Sequence, residues 1–212
     1  MKKLILFSLL LIGGFYVSAQ RGSGFGYGIG GGLLLNSATL PDIKVNTDIE
    51  KLLSGENLVK GKANYSDLTF NYRAGGFIKY DHGFGFALVE LNYTTTKIYK
   101  EFALPLNNPF NKNSINLITL DRSFAYFDIA LSYNIYLSDK FYFSVGATPA
   151  FLLSNTGNEE PNSFDLRVLT GFGYNITDKL SISTKLELGV TEVYDNTYIH
   201  QIMIPVTLQV AF

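Results

Sequence analysis

IHQIMIPVTLQVAF, residues 199–212, alternates along its length: Ile202, Ile204, Val206, Leu208, Val210 and Phe212 share one parity, and Gln201, Met203, Pro205, Thr207, Gln209 and Ala211 the other. One face is wholly apolar and the other small or polar, which is the period of two that marks a strand. Strands of soluble sheets run about 5–6 residues, whereas a strand that crosses a bilayer needs about ten with this alternation. The stretch therefore reads as a lipid-facing barrel strand.

Composition agrees. The 212 residues include 20 Gly, 14 Tyr and 17 Phe with no Trp, and many glycines and rings suit barrels with aromatic girdles. The formal charge is −1, and without Lys2 and Lys3 the balance is 15 bases to 18 acids, or −3. No basic patch speaks for nucleic acid, and none is expected as a partner. At the start, Lys2 and Lys3, an apolar run over 4–12 and the small residues Val17-Ser18-Ala19 form a signal peptide over 1–19, with cleavage between Ala19 and Gln20. The apolar run is shorter than the roughly 20 residues of a spanning helix. Residues 20–212 then form one domain. The chain has no cysteine, so neither a disulfide nor a lipid-modified cysteine is available to it.

The alternation recurs along the chain. A first strand over 24–35 places Phe25, Tyr27, Ile29, Leu33 and Leu35 on one parity and mostly glycine on the other. A GxGxxG match at Gly26, Gly28 and Gly31 lacks the preceding strand and the βαβ context of a nucleotide loop, so the glycines read as an inward strand face. A long loop follows over 37–66, with a helical piece at 48–53. Strands are then expected at 67–80, 84–96, 117–136, 141–151, 164–176, 180–191 and 199–212. Short turns fall at Asp81-His82-Gly83, Ser138-Asp139-Lys140 and Thr177-Asp178-Lys179, and long loops at 97–116 and at the SNTGNEEPN stretch, 154–162. Pro149 deletes a ladder donor and is expected at a strand end or bulge near the outer rim.

Eight strands, even in number and joined by alternating short and long connections, make an all-β, eight-stranded antiparallel up-and-down transmembrane β-barrel. Closure is forced, because an open sheet edge in lipid finds no water for its backbone groups. A barrel of eight is filled by side chains rather than by a wide channel. Its place is the bacterial outer membrane, in contact with lipid, with short turns and both termini periplasmic and longer loops outside.

The outward parity is uncharged at its centre. The inward parity collects Arg73, Lys79, Glu90, Arg122, Asp128, Asp165, Arg167, Lys185 and Glu187. Counted from the short turns, Arg73, Glu90, Asp128, Arg167, Lys185 and Glu187 sit at comparable heights, which predicts a mid-barrel ionic layer. Its expected role is a structural plug of paired charges, since an unpaired buried charge is expensive. The alternative is a gate or an ion-conducting path. Only His82 and His200 could supply the histidine of a Ser–His hydrolase, the first in a periplasmic turn and the second at the start of the last strand. Neither has a recognisable triad around it, so no catalytic residue is assigned. Two histidines and no cysteine leave no transition-metal set, and no cofactor is expected. Asn158-Glu159-Glu160 reads as solvated loop charge.

With the strands placed, the sequence resembles the outer-membrane β-barrel family of Bacteroidetes often called PorT-like. The carrying residues are Tyr126-Phe127-Asp128-Ile129-Ala130-Leu131, Lys140-Phe141-Tyr142-Phe143 to Gly146, Leu169-Thr170-Gly171-Phe172-Gly173-Tyr174 and Val210-Ala211-Phe212. Asp128 stands where the family commonly has glutamate and Ala130 where proline is usual. The terminal Phe212 also resembles the aromatic end that outer-membrane barrels present to the barrel assembly machinery during biogenesis. The resemblance implies a small non-enzymatic cell-envelope protein that anchors or displays loops, with 37–66 as the first contact surface to consider. A second reading is an accessory barrel of a type IX-like protein secretion complex, partnered by other envelope proteins. A third is a narrow gated pore. A soluble exported barrel with an apolar ligand inside is opposed by Arg73, Glu90, Asp128 and Glu187 on the inward face.

Overall fold

The structure is a computed structural model that describes residues 24–40, 65–105, 115–157, 160–194 and 199–212. The segment holding Ala19 and Gln20, the helical piece at 48–53 and most of the loop at 37–66 lie outside the described residues. Eight strands follow in order: β1 Gly24–Ala38, β2 Thr69–Asp81, β3 Gly85–Pro105, β4 Ile115–Tyr136, β5 Phe141–Asn155, β6 Phe164–Asn175, β7 Leu180–Gly189 and β8 Gln201–Ala211. Each pairs antiparallel with the next, and β8 returns to β1 to close the barrel.

Parity sets the faces as the sequence implies. On β8 the residues from Gln201 to Ala211 alternate, with Met203, Pro205, Thr207 and Gln209 buried and Ile204, Val206, Leu208 and Val210 exposed to the lipid side. Inward glycines make room where side chains lean across the wall. Gly173 pairs with Tyr142, and a Cβ there would lie 2.0 Å from that ring's Cζ.

Two features differ from the sequence reading. The loop expected at 97–116 is mostly ladder: β3 and β4 stay paired from Lys97↔Ser123 to Pro105↔Ile115. The alternation continues there, but above the lipid the outer face meets water, so on β3 Lys97, Tyr99 and Glu101 replace the apolar residues that made the pattern visible. Pro149 is also not at a strand end. It sits inside β5, and the pairing with β4 passes from Asp128↔Ala150 to Leu131↔Ala147, skipping Ile129 and Ala130. The missing N–H of proline accounts for the skip. Pro205 does the same in β8, where pairing with β7 passes from Thr184↔Val206 to Glu187↔Met203.

The interior is stacked in three layers. At the short-turn end Phe77, Phe86, Leu88, Tyr142 and Ala211 form an apolar floor with Tyr136 against it. At the long-loop end Ala38, Leu40, Ile98, Phe124, Tyr126, Ala150 and Val193 form an apolar roof. Between them lies a band of charge.

The candidate functional site is a buried ionic layer

Arg73 on β2 points inward opposite Thr94 of β3, its register partner. Its guanidinium crosses the barrel to β7 and donates twice to Glu187, Nη1 to Oε1 at 2.5 Å and Nη2 to Oε2 at 2.8 Å. Nη2 also donates to Asp128 Oδ2 of β4 at 3.0 Å, and Nε donates to Thr94 Oγ1 at 3.0 Å. The Thr94 hydroxyl in turn donates to Asp128 Oδ2 at 2.5 Å. One side chain thus ties β2, β3, β4 and β7 together. A bidentate guanidinium–carboxylate pair is the strong form of this contact, because both hydrogen bonds are charge-assisted and share one plane.

Arg167 on β6 is the second hub. Nη1 reaches both oxygens of Asp128 at 3.3 Å, and Nε donates to Asp165 Oδ2 at 2.6 Å. Thr191 closes the other side of Asp165, donating to Oδ1 at 2.7 Å. The Tyr126 ring, part of the roof, lies 4.9 Å from the Arg167 guanidinium carbon, a cation–π contact that joins the roof to the charges. Gln201 Nε2 donates to the Tyr126 hydroxyl at 2.9 Å. Nearer the floor, Lys185 of β7 donates to Glu90 Oε2 of β3, and Gln209 Nε2 of β8 donates to Oε1 at 2.8 Å.

All six residues singled out from the sequence, Arg73, Glu90, Asp128, Arg167, Lys185 and Glu187, are buried and engaged in these contacts. They form two groups, the pair Glu90–Lys185 and the network around Arg73 and Arg167, which Asp165 completes. Lys79 and Arg122, also inward by parity, are not among the buried residues; Arg122 lies against Gly157 at the outer end. Three buried cations thus face four buried carboxylates, Glu90, Asp128, Asp165 and Glu187. Every oxygen of those four accepts at least one hydrogen bond. On the cation side, Arg167 Nη2 is buried with no partner. Thr94, Thr191 and Gln209 were not signalled by the sequence, because an inward hydroxyl or amide looks the same whether it binds a charge or merely fills space.

A network this complete holds charge still rather than moving it, since each buried charge is costly unless paired and hydrogen-bonded. The floor and roof seal it on both sides. At the floor a recess of about 20 Å³, lined by Phe77, Lys79, Phe86, Tyr136 and Asp178 among others, has room for about one water. The histidines lie apart from the charges. His82 stacks on Tyr133 at the rim, with 2.9 Å from Nε2 to the hydroxyl, and His200 Nδ1 faces the Thr191 carbonyl at 3.1 Å. Gly26, Gly28 and Gly31 lie within β1, not in a loop before a helix. Among the described residues no group of His, Cys, Asp and Glu is arranged to hold a metal.

A family model described as outer membrane protein beta-barrel domain matches residues 18–195. Among solved structures, Neisserial surface protein A (NspA) is 13% identical with a TM-score of 0.53, over 89% of this chain and 99% of that one. Ail, the attachment invasion locus protein of Yersinia pestis, is 12% identical over 90% and 99%, with a TM-score of 0.41. OprG of Pseudomonas aeruginosa is 10% identical over 90% and 96%, with a TM-score of 0.40. The likeness to NspA is one of fold alone, and the two looser ones add nothing to it. No curated protein sequence matches the chain.

Proposed function

The chain belongs to the outer membrane protein beta-barrel domain family, and on that premise we propose that it is a small, non-conducting barrel that anchors and displays its extracellular end. The observation that carries this reading is the sealed interior: an ionic layer whose carboxylate oxygens are all engaged, closed below by the Phe77–Phe86–Tyr142 floor and above by the Ile98–Phe124–Tyr126 roof. Arg73, Glu90, Asp128, Arg167, Lys185 and Glu187 then serve as a structural plug. Planar bilayer recording of the purified protein tests it. No stepwise conductance is expected; regular openings that disappear in Arg73→Ala would replace the anchor with a gated pore.

The proposal includes export by a signal peptide cut between Ala19 and Gln20, and Phe212 as the end presented to the barrel assembly machinery. N-terminal sequencing of the protein extracted from outer membranes, and the fraction assembled after removal of Phe212, test the two parts. The PorT-like alternative, an accessory barrel of a type IX-like secretion complex in Bacteroidetes, rests on the motif around Tyr126-Phe127-Asp128 and predicts stable co-purification with large envelope proteins. An anchor purifies without them.

A further inference from the structure

Above the lipid, β3 and β4 stay paired with each other, as a two-stranded ribbon, beyond the last backbone bonds that described residues make to their outer edges. On the β5 side the last backbone bond to the ribbon is Thr156 N–H to the Ser123 carbonyl at 2.9 Å. On the β2 side it is Asp67 N–H to the Tyr99 carbonyl at 2.8 Å. Groups of an antiparallel strand alternate sides, so these bonds fix which residues aim outward beyond them. On β4 they are Asp121, Thr119, Leu117 and Ile115. On β3 they are Glu101, Ala103 and Pro105. No described residue makes a backbone bond to either edge there, and the Asp121 carbonyl accepts from Arg122 Nη1 at 3.2 Å.

The two edges differ in chemistry. The β3 edge carries Lys100 and Glu101, and Pro105 withholds its donor on the side away from β4. Charge and proline are how proteins blunt an edge strand. The β4 edge, residues 115–120, reads Ile-Asn-Leu-Ile-Thr-Leu and has neither. It is rich in residues that favour strands, and every outward residue keeps its N–H.

The geometry points to this β4 edge, residues 115–120, as a strand-addition site for an extended segment of another protein outside the cell. The site rests on the display reading above, which sets this end of the barrel outside. A second copy in the same membrane does not fit. Its two-fold axis would run along the membrane normal, and strands tilted about 35–45° would cross at roughly 70–90° and point the same way, too steep for a ladder. The incoming strand's character follows from the ribbon's two faces. The inner face continues the roof through Ile98 and Phe124, both buried, with Leu120 half-buried against them. The outer face carries the Lys97–Asp121 ion pair, 2.9 Å apart and half exposed. The partner segment alternates accordingly, apolar inward and polar outward, and binds by main-chain hydrogen bonds.

The test uses the purified full-length barrel in detergent and a fluorescent peptide with the sequence of residues 97–104, KIYKEFAL, a strand that β4 already accepts on its other side. Saturable binding is expected. N-methylation through the peptide's central residues, and Thr119→Pro in the barrel, should each weaken it at least tenfold. Ala103→Pro, the same change on the blunted edge, should leave binding intact, and heat-modifiable mobility on gels should show both variants folded. Equal binding by the methylated peptide, or by Thr119→Pro, overturns the proposal. So does peptide-independent dimerisation that Thr119→Pro abolishes, which would make a copy on a facing membrane the occupant. Labelling of Thr119→Cys by an impermeant maleimide on intact cells tests the display reading separately: an unlabelled cysteine sinks that reading whatever the peptide does.

Discussion

Arg73 is the side chain on which the interior turns, since it alone bonds residues of β3, β4 and β7 from its place on β2. Arg73→Ala strands Glu187 and part of Asp128 as buried charges. Breaking a buried pair from one side costs about 3–5 kcal/mol, so the urea midpoint of the variant should fall steeply, and an unchanged midpoint would show that water reaches these carboxylates. The charge count makes a finer prediction. Asp165 accepts from Arg167 Nε and Thr191, whereas Asp128 accepts from Arg73, Arg167 and Thr94. Asp128→Asn should therefore lower the midpoint more than Asp165→Asn, although each removes one negative charge; the reverse order would make Asp165 the more important acceptor. Gly173 supplies a steric test. A methyl group there collides with the Tyr142 ring, so Gly173→Ala should cost about 1–3 kcal/mol by overpacking, and the same change should cost less when made in a Tyr142→Ser background. Of this layer, the inward position of the six charged residues was legible in parity. Which charge meets which was not, because pairing across the lumen depends on barrel shear, and shear leaves no mark in a single strand's alternation.

Strand boundaries were legible wherever lipid supplies the contrast. On β5 through β8 the apolar parity meets hydrocarbon and ends where the short turns begin, and expected and observed elements coincide to within a few residues. On β3 the ladder outlasts the contrast by nine residues, from the expected end at 96 to Pro105, so charge on the outer face resembled a loop, whereas β4 starts at Ile115 against an expected 117. The prolines mark a different limit. Backbone parity in β8 follows from Ala211 N–H bonding to the Lys179 carbonyl, so the N of Pro205 faces β7, opposite Lys185. The Lys185 carbonyl thereby loses its ladder donor. Pro205→Val restores an N–H at that place and adds a residue that favours strands, so the barrel should gain about 0.5–1.5 kcal/mol, the net value of one hydrogen bond. A loss instead would mean that the break in the β7–β8 ladder relieves strain around the neighbouring Lys185 and Glu187.

Over the whole molecule the same register that closes the barrel also builds its girdles. Phe141 pairs with Tyr174 near the short turns, rings 4.8 Å apart, and the same two strands bring Phe151 to Phe164 near the outer rim, rings 5.5 Å apart. Each girdle pair is ten positions from the other along its strand, and on β2 Phe70 and Tyr80 repeat that spacing. Ten rises of about 3.4 Å, tilted by about 40°, place the two girdles roughly 26 Å apart along the membrane normal. Between them the exposed residues are almost wholly aliphatic or aromatic, so the belt matches hydrocarbon and its rings mark the two interfaces. Thicker bilayers would bury the polar rim beyond the rings, and thinner ones would leave aliphatic surface in water; either mismatch costs fractions of a kcal/mol per ångström. Folding yield into synthetic vesicles, read as the heat-modifiable band, should therefore peak at a hydrocarbon thickness near 26 Å and decline on both sides. A yield that climbs steadily with thickness would detach the rings from the interfaces and move the lipid boundary up onto the β3–β4 ribbon, taking its open edge out of water.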